Sequence, residues 1–266
     1  MPGGSAFTDT ASRQLEAVYR TPDVVAQRHA TLRALALKDG DQVLDVGAGP
    51  GFLATEMAEA VSPSGRVTGL DINEHMVQIA RQRCAQETSA APAEIVQGDA
   101  TALPFPDAAF DVAVSTQVYE YVEDIETALA ELYRVLRPGG RAVILDTDWD
   151  SIVWHSSEPG RMRRVLDAWN QRFADPHLPA TLAPRLRAAG FDLGPRDVLV
   201  LFNPEYDPQT YSMTNAEIMA DFVTEHSGMT WPEAAAWYDD LQQLGREGHY
   251  FFSLNRYLFT ALKVVV

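Results

Sequence analysis

The chain has 266 residues, room for one large domain or two small ones at about 150 residues each, and 46% hydrophobic against 22% charged residues places it among ordinary globular proteins. Asp and Glu outnumber Lys and Arg by 37 to 21, a net charge of −16, which is the wrong sign for neutralising phosphates or anionic headgroups and argues against nucleic-acid and membrane partners. Cys84 is the single cysteine, which excludes an intrachain disulfide and a thiol-based metal cluster.

Residues 1–8 are rich in Gly, Ser and Pro and read as a loose start with no basic-then-apolar leader, and no run of about 18 apolar residues follows anywhere; a cytoplasmic protein is the expectation. Thr21-Pro22-Asp23 supplies a cap, a proline and an early acid for a helix whose Val24, Val25, Leu32 and Leu35 share a stripe. Asp41 to Gly47 is a short apolar strand running into a glycine-rich turn, and Phe52, Leu53, Met57 and Val61 then take helical spacing. The unit repeats: strand Arg66 to Leu70 ending in Asp71, then a helix capped by Asn73 with Met76, Ile79, Ala80 and Cys84 on one face. Glu94 to Gln97 and Phe110 to Ser115 are the third and fourth strands. Asp124 caps a helix to Leu136, and Pro138-Gly139-Gly140 turns into a fifth strand, Ala142 to Leu145.

Strands alternating with helices predict a Rossmann-like, doubly wound α/β sheet. Beyond Asp146 the texture changes, because all five tryptophans fall there. Pro159 to Phe173 and Thr181 to Ala189 read as helices, the second closed by Gly190. Asp197 to Phe202 and Tyr250 to Leu262 read as an antiparallel pair closing a seven-stranded, mostly parallel sheet. The expected organisation is one domain over 1–266, with a helical cap at 1–40, a core at 41–146 and a helical insertion at 203–248 over the site.

The informative segment is Asp45-Val46-Gly47-Ala48-Gly49-Pro50-Gly51-Phe52. Glycines after a first parallel strand permit a tight turn and close approach of a nucleotide-like ligand to the backbone. A phosphate loop would need a Gly-Lys-Ser/Thr ending that is absent, and a dinucleotide fingerprint would need glycine where Phe52 stands. With Asp71 about 20 residues beyond Gly51, Gly98-Asp99-Ala100 after the third strand and Arg134-Val-Leu-Arg-Pro-Gly-Gly140 before the fifth, the span from Val43 to Leu145 resembles the class I S-adenosylmethionine-dependent methyltransferases, close to the ubiquinone and menaquinone biosynthesis group.

The resemblance implies S-adenosylmethionine as cofactor, with Asp71 on the ribose and Asp99 at the adenine amino group. It extends the cofactor set to Asp45, Gly47, Ala48, Gly49, Gly51, Phe52, Ile72, Met76, Gly98 and Ala100, and to Ser115, Thr116 and Gln117 after the fourth strand. Tyr19 and Arg28 resemble an N-terminal helix that closes over the cofactor in some relatives, Arg28 then meeting the methionine carboxylate. An acidic loop suits a sulfonium and an ammonium better than it suits pyrophosphate. The implied reaction is in-line methyl transfer to oxygen or nitrogen of a small aromatic or heterocyclic metabolite, with carbon as the second choice of acceptor atom. A nicotinamide-dependent oxidoreductase and a non-catalytic sensor are the rival classes.

A base is required only where the acceptor holds a proton at its attacking atom. The candidates follow the fourth and fifth strands, Gln117, Tyr119 and Glu120 in one loop and Asp146, Asp148 and His155 in the next, with His155 oriented by Asp148 preferred; the competing reading has Asp146 and Asp148 capping the next segment and His155 an ordinary surface residue. Tyr119, Trp149, Trp154, Tyr206 and Tyr211 are the candidate walls of an acceptor pocket. The six histidines lack ligand spacing, so no metal is expected, and a homodimer is left open.

Overall fold

The computed structural model describes residues 9–61, 63–86 and 91–265; the loose start expected at 1–8 lies outside them. In chain order the elements are α1 (Asp9–Tyr19), α2 (Pro22–Leu35), β1 (Gln42–Val46), α3 (Phe52–Val61), β2 (Arg66–Asp71), α4 (Glu74–Gln86), β3 (Ala93–Gln97), β4 (Phe110–Thr116), α5 (Ile125–Val135), β5 (Leu136–Thr147), β6 (Val153–Trp154), α6 (Pro159–Asn170), α7 (Leu178–Ala188), β7 (Asp192–Asn203), α8 (Tyr211–His226), α9 (Trp231–Arg246) and β8 (Phe252–Leu262). They form two compact units. A sheet unit comprises Arg28–Thr147, His177–Val198 and Tyr257–Val266, and a helical unit comprises Met1–Gln27, Asp148–Pro176 and Leu199–Arg256.

In the sheet unit β1 lies parallel to β2 on one side and to β4 on the other, with β3 beyond β2 and β5 beyond β4. β8 follows β5 and pairs with β7. Lys263 exchanges backbone hydrogen bonds with Gly139 and Gly140, so the end of β8 meets the start of β5 and the strand runs antiparallel. Val43, Leu44, Val46, Val67, Val112 and Ile144 are fully buried, which explains why these strands read as continuous apolar runs instead of alternating ones. α5 and α7 place Leu129, Leu132, Leu182 and Leu186 in one core with Leu44, Ile144 and Phe191.

The mostly parallel sheet is as expected, but it has eight strands, the additional one being the two-residue β6, which pairs antiparallel with the start of β8. Pro138-Gly139-Gly140 is no turn outside the sheet. It lies within β5, where the pairing with β4 shifts register between Phe110 and Val112, and a Cβ at Gly140 would meet the Arg137 and Asp111 carbonyls at 2.9 Å. α7 begins at Leu178, earlier than Thr181, because Pro179 in its first turn needs no N–H partner there.

In the helical unit α8 buries Met213, Ala216, Met219 and Val223, and α9 buries Trp237 and Leu241. Thr21 does not cap α2 through its side chain, since its hydroxyl donates to the Val18 carbonyl at 2.8 Å. Asp23 instead accepts the Tyr211 N–H at the start of α8 and the Asn203 amide, at 3.1 and 3.0 Å. α1 lies within the helical cap expected at 1–40, although no separate bounds were expected for it.

Asn73 caps α4 as expected, its Oδ1 accepting from the His75 and Met76 amides at 2.9 and 3.2 Å. Asn73→Ala should therefore lower stability by about 1 kcal/mol. Urea titration checks this: the midpoint falls while the slope stays constant.

Candidate cofactor site

Strand order reverses at β1, because the chain moves outward through β2 and β3 and then returns to β4 on the other flank. The carboxyl ends of β1 and β4 therefore border the point where strand order reverses, the usual ligand position in such sheets. The loop after β1 enters it with Gly47, Gly49 and Gly51 all at positive φ (74°, 52° and 84°). The Gly47 and Ala48 amides donate to the Leu70 carbonyl at 2.7 and 2.9 Å, which fixes the loop to β2.

Two of these glycines are required by the protein's own packing. A Cβ at Gly47 would strike the Val118 side chain, and one at Gly51 would meet Ala80 of α4 at 2.9 Å. Their missing side chains therefore answer to the fold itself, apart from any ligand. Gly49 differs in turning its amide to the Asp71 carboxylate, 2.9 Å away. The second Asp71 oxygen accepts the Asn73 amide at 2.9 Å. Burial nevertheless raises the Asp71 pKa above the ordinary carboxylate value, against the pull of the Asn73, Gly49 and Ile72 amides.

Asp45 carries the larger perturbation. Its side chain sits on β1 between Gly69 and Val114 in the sheet, is 1% exposed, and its Oδ2 has no hydrogen-bond partner among the described residues. Burial, with the Asp71 charge adding to it, pushes its pKa up to about 7. Ser115 at the end of β4 is also fully buried, and its Oγ likewise lacks a partner among the described residues. Beside Asp71, Ile72 is 57% exposed, while Met76 is buried. Cys84 on α4 is half-buried, and its thiol pKa is raised by burial and by the field of Asp45.

After β4 the chain turns sharply. Gln117 adopts φ +57° and donates its amide to Leu145, and the Val118 amide donates to the Asp146 carboxylate at 3.1 Å. A non-glycine residue in this region of backbone space is uncommon and concentrates at functional sites. Tyr119 is 1% exposed and packs within the apolar core, and burial raises its pKa beyond the ordinary phenol range. Glu120 is buried and accepts the Thr147 amide at 3.1 Å. Gly98 is held by its amide to the Asp71 carbonyl, and Ala100 is buried. Asp99 is exposed and accepts from the Thr101 amide and hydroxyl, both at 2.8 Å.

Phe52 opens α3 with the Arg83 guanidinium 3.6 Å from its ring centroid and that of Arg28 at 5.2 Å. Arg28 is 11% exposed on its side chain and its Nε donates to Glu56 at 2.6 Å. Glu56, Arg83 and Val118 were missed in the sequence, where nothing in their spacing marks them. Tyr19 ends α1 in the helical unit, half-buried.

The remaining candidates also lie in the helical unit. Asp148 accepts the Asp150 amide and caps a short 3-10 turn, which is a backbone task rather than the orientation of His155, and His155 is exposed. Trp149 stacks on Phe173 with centroids 4.9 Å apart, and Trp154 meets Trp237 and Phe252 edge to face. Tyr211 is buried beneath the Arg256 guanidinium, and Tyr206 packs on Tyr250. Neither tyrosine lines the cavity bounded by Trp149, Trp154 and His155.

Comparison with known proteins agrees with this geometry. The family described as Methyltransferase domain matches residues 44–144, from β1 to β5. That segment is similar to methyltransferase domains, and it makes up less than half of the chain. The demethylmenaquinone methyltransferase of Listeria welshimeri is 34% identical over 151 residues, 56% of this chain and 64% of the relative. A 37.1 kDa protein in transposon TN4556 of Streptomyces fradiae is 42% identical over 150 residues, 56% of this chain and 42% of its own length. The chain thus spans less than two thirds of these relatives.

Among solved structures, phosphoethanolamine N-methyltransferase 2 of Haemonchus contortus in complex with S-adenosyl-L-methionine aligns with a TM-score of 0.62 at 20% identity, over 98% of this chain and 58% of that one. The [4+2]-cyclase SpnF aligns with a TM-score of 0.59 at 22% identity, over 91% and 82%. A transferase and a cyclase on one scaffold share the fold alone.

The Asp45 environment makes a test by itself. The folded chain keeps a proton that the unfolded chain gives up above the ordinary aspartate value of 3.8, so the penalty for burying Asp45 grows as pH rises from about 4 to about 7 and is complete above that. Asp45→Asn should raise stability at pH 8 by roughly 2 to 4 kcal/mol, with the gain shrinking toward acid pH. Chemical denaturation of both proteins at pH 5 and pH 8 reads it; an equal gain at both values contradicts the assignment.

Proposed function

We propose that this chain transfers a methyl group from S-adenosylmethionine to a small acceptor. The observation that carries the reading is the pair of acids at the carboxyl ends of β1 and β2, a buried Asp45 with an unmatched oxygen and a half-buried Asp71. A cation beside Asp45 would lower its pKa and recover the energy spent on burying it. S-adenosylmethionine fits, since its sulfonium and ammonium are both positive and it carries a methyl already activated for displacement. Pyrophosphate would be repelled by the same carboxylates.

In this reading Asp45 faces the ammonium side of the cofactor, Asp71 takes ribose hydroxyls while keeping the Gly49 amide in place, and exposed Ile72 offers an apolar face to the base. Gly98, Asp99 and Ala100 take the far edge of the base. Arg28, steadied by Glu56, and the start of α3 at Gly51–Phe52 receive the carboxylate. Ser115, Thr116 and Gln117 border the transferred group. The protein's work is then alignment, which can lower such barriers by ~7 to 11 kcal/mol.

The acceptor atom is oxygen or nitrogen of an aromatic or heterocyclic metabolite. Carbon of a quinone-like ring is the second reading, favoured by relatives named demethylmenaquinone methyltransferase, whose likeness covers 56% of this chain.

Melting with added S-adenosylmethionine, S-adenosylhomocysteine, NAD and ATP separates the ligand classes. At 100 times its dissociation constant the right ligand adds about 2.7 kcal/mol to the native state. Stabilisation by NAD alone would end this reading. Incubation with phenols, quinones and amines should release S-adenosylhomocysteine above background; binding without turnover across the panel would leave a sensor.

The acid pair also fixes a pH dependence. A cation that lowers the Asp45 pKa from about 7 expels its proton on binding, so affinity should rise with pH up to about 7 and then level. Calorimetry near pH 6.5 in buffers of different ionisation enthalpy should show release of up to one proton. Proton uptake would contradict the placement.

A further inference from the structure

The helical unit contains a cavity of about 600 Å³ that the methyl-transfer reading does not use. Its volume falls in the range that takes a ligand of one to a few rings. Trp149 and Trp154 lie on its lining, yet they are only 4% and 6% exposed. Trp149 is stacked on Phe173 and crossed by Trp169, and Trp154 is crossed by Trp237 and Phe252, so neither indole can swing to fill the space. Met162, Leu166 and Phe251 add apolar wall. A rigid aromatic and apolar lining of this kind gives a flat ring its contacts without an ordering cost.

Polar groups on the lining set the charge of the occupant. Asp150, Asp167, His155 and Arg163 contribute two carboxylates against one guanidinium and an imidazole, a balance that disfavours an anion and offers both donors and acceptors. We propose that this cavity is a binding site for an uncharged, flat aromatic molecule carrying hydroxyl or similar hydrogen-bonding substituents. The inference does not depend on the methyl-transfer reading, because it rests on the cavity alone.

The test uses the full chain and three probes: 2-naphthol, the anionic 2-naphthoate and the non-aromatic cyclohexanol, titrated by calorimetry and by quenching of tryptophan fluorescence. The expected result is saturable 2-naphthol binding at millimolar or lower concentration, with 2-naphthoate at least tenfold weaker and cyclohexanol silent. Leu166→Trp, which fills the cavity from a half-buried wall position, should weaken 2-naphthol at least tenfold while the melting temperature stays near that of the parent. Should that variant fold poorly, Asp167→Asn, at an exposed position on the lining, should improve 2-naphthoate binding several-fold. Naphthoate binding as tightly as naphthol, a folded Leu166→Trp with unchanged affinity, an Asp167→Asn that leaves naphthoate where it was, or no saturable binding by naphthol each overturns the proposal. None of these outcomes bears on whether S-adenosylmethionine binds the sheet unit, which the melting panel reads separately.

Discussion

A carboxylate that cannot reach water must find a positive partner or keep its proton, and Asp45 is placed where the chain itself supplies no hydrogen bond to one of its oxygens among the described residues. Its burial and the neighbouring charge of Asp71 work in the same direction. A purely structural residue at this point of a parallel strand would be apolar, as Val43, Leu44 and Val46 around it are. In the proposed reading, the stability given up there is recovered when a cation binds. The glycine loop, the strand-order reversal at β1 and the sharp turn at Gln117 all gather around that position at the carboxyl end of the sheet.

The supporting contacts are layered. Asp71 accepts one amide from the loop and another from the cap of α4, so the same side chain that we assign to a ribose also sets the backbone around it. Val118, drawn in by the Asp146 carboxylate, presses on Gly47 from the opposite strand end. Packing and ligand geometry are not separable at this loop, and a substitution made to probe one disturbs the other.

Much of the sheet unit was legible in the sequence because its signals are local. Apolar runs end at Asp45 and Asp71, Asn73 stands one residue before a helix, and the spacing Gly47, Gly49, Gly51 distinguishes this loop from dinucleotide and phosphate loops. What escaped was decided by tertiary contact. Pro138-Gly139-Gly140 looks like a turn, yet pairing with Lys263 far along the chain holds it in a strand. Tyr119 looks like a pocket residue and is core, since neither its neighbours nor its polarity reveals that the helix after it folds over it. Arg28 shows a positive charge but not that Glu56 already engages it. The tryptophans after Asp146 marked a change of texture correctly, but which of them border a cavity depends on ring-to-ring contacts that no spacing encodes.

Cys84 has a consequence of its own. It is the sole sulfhydryl of the chain, and the field of Asp45 reaches it and makes its ionised form harder to reach. A cation seated beside Asp45, as proposed, would offset that field, so the rate of alkylation at a single sulfur on α4 would change with what sits next to Asp45.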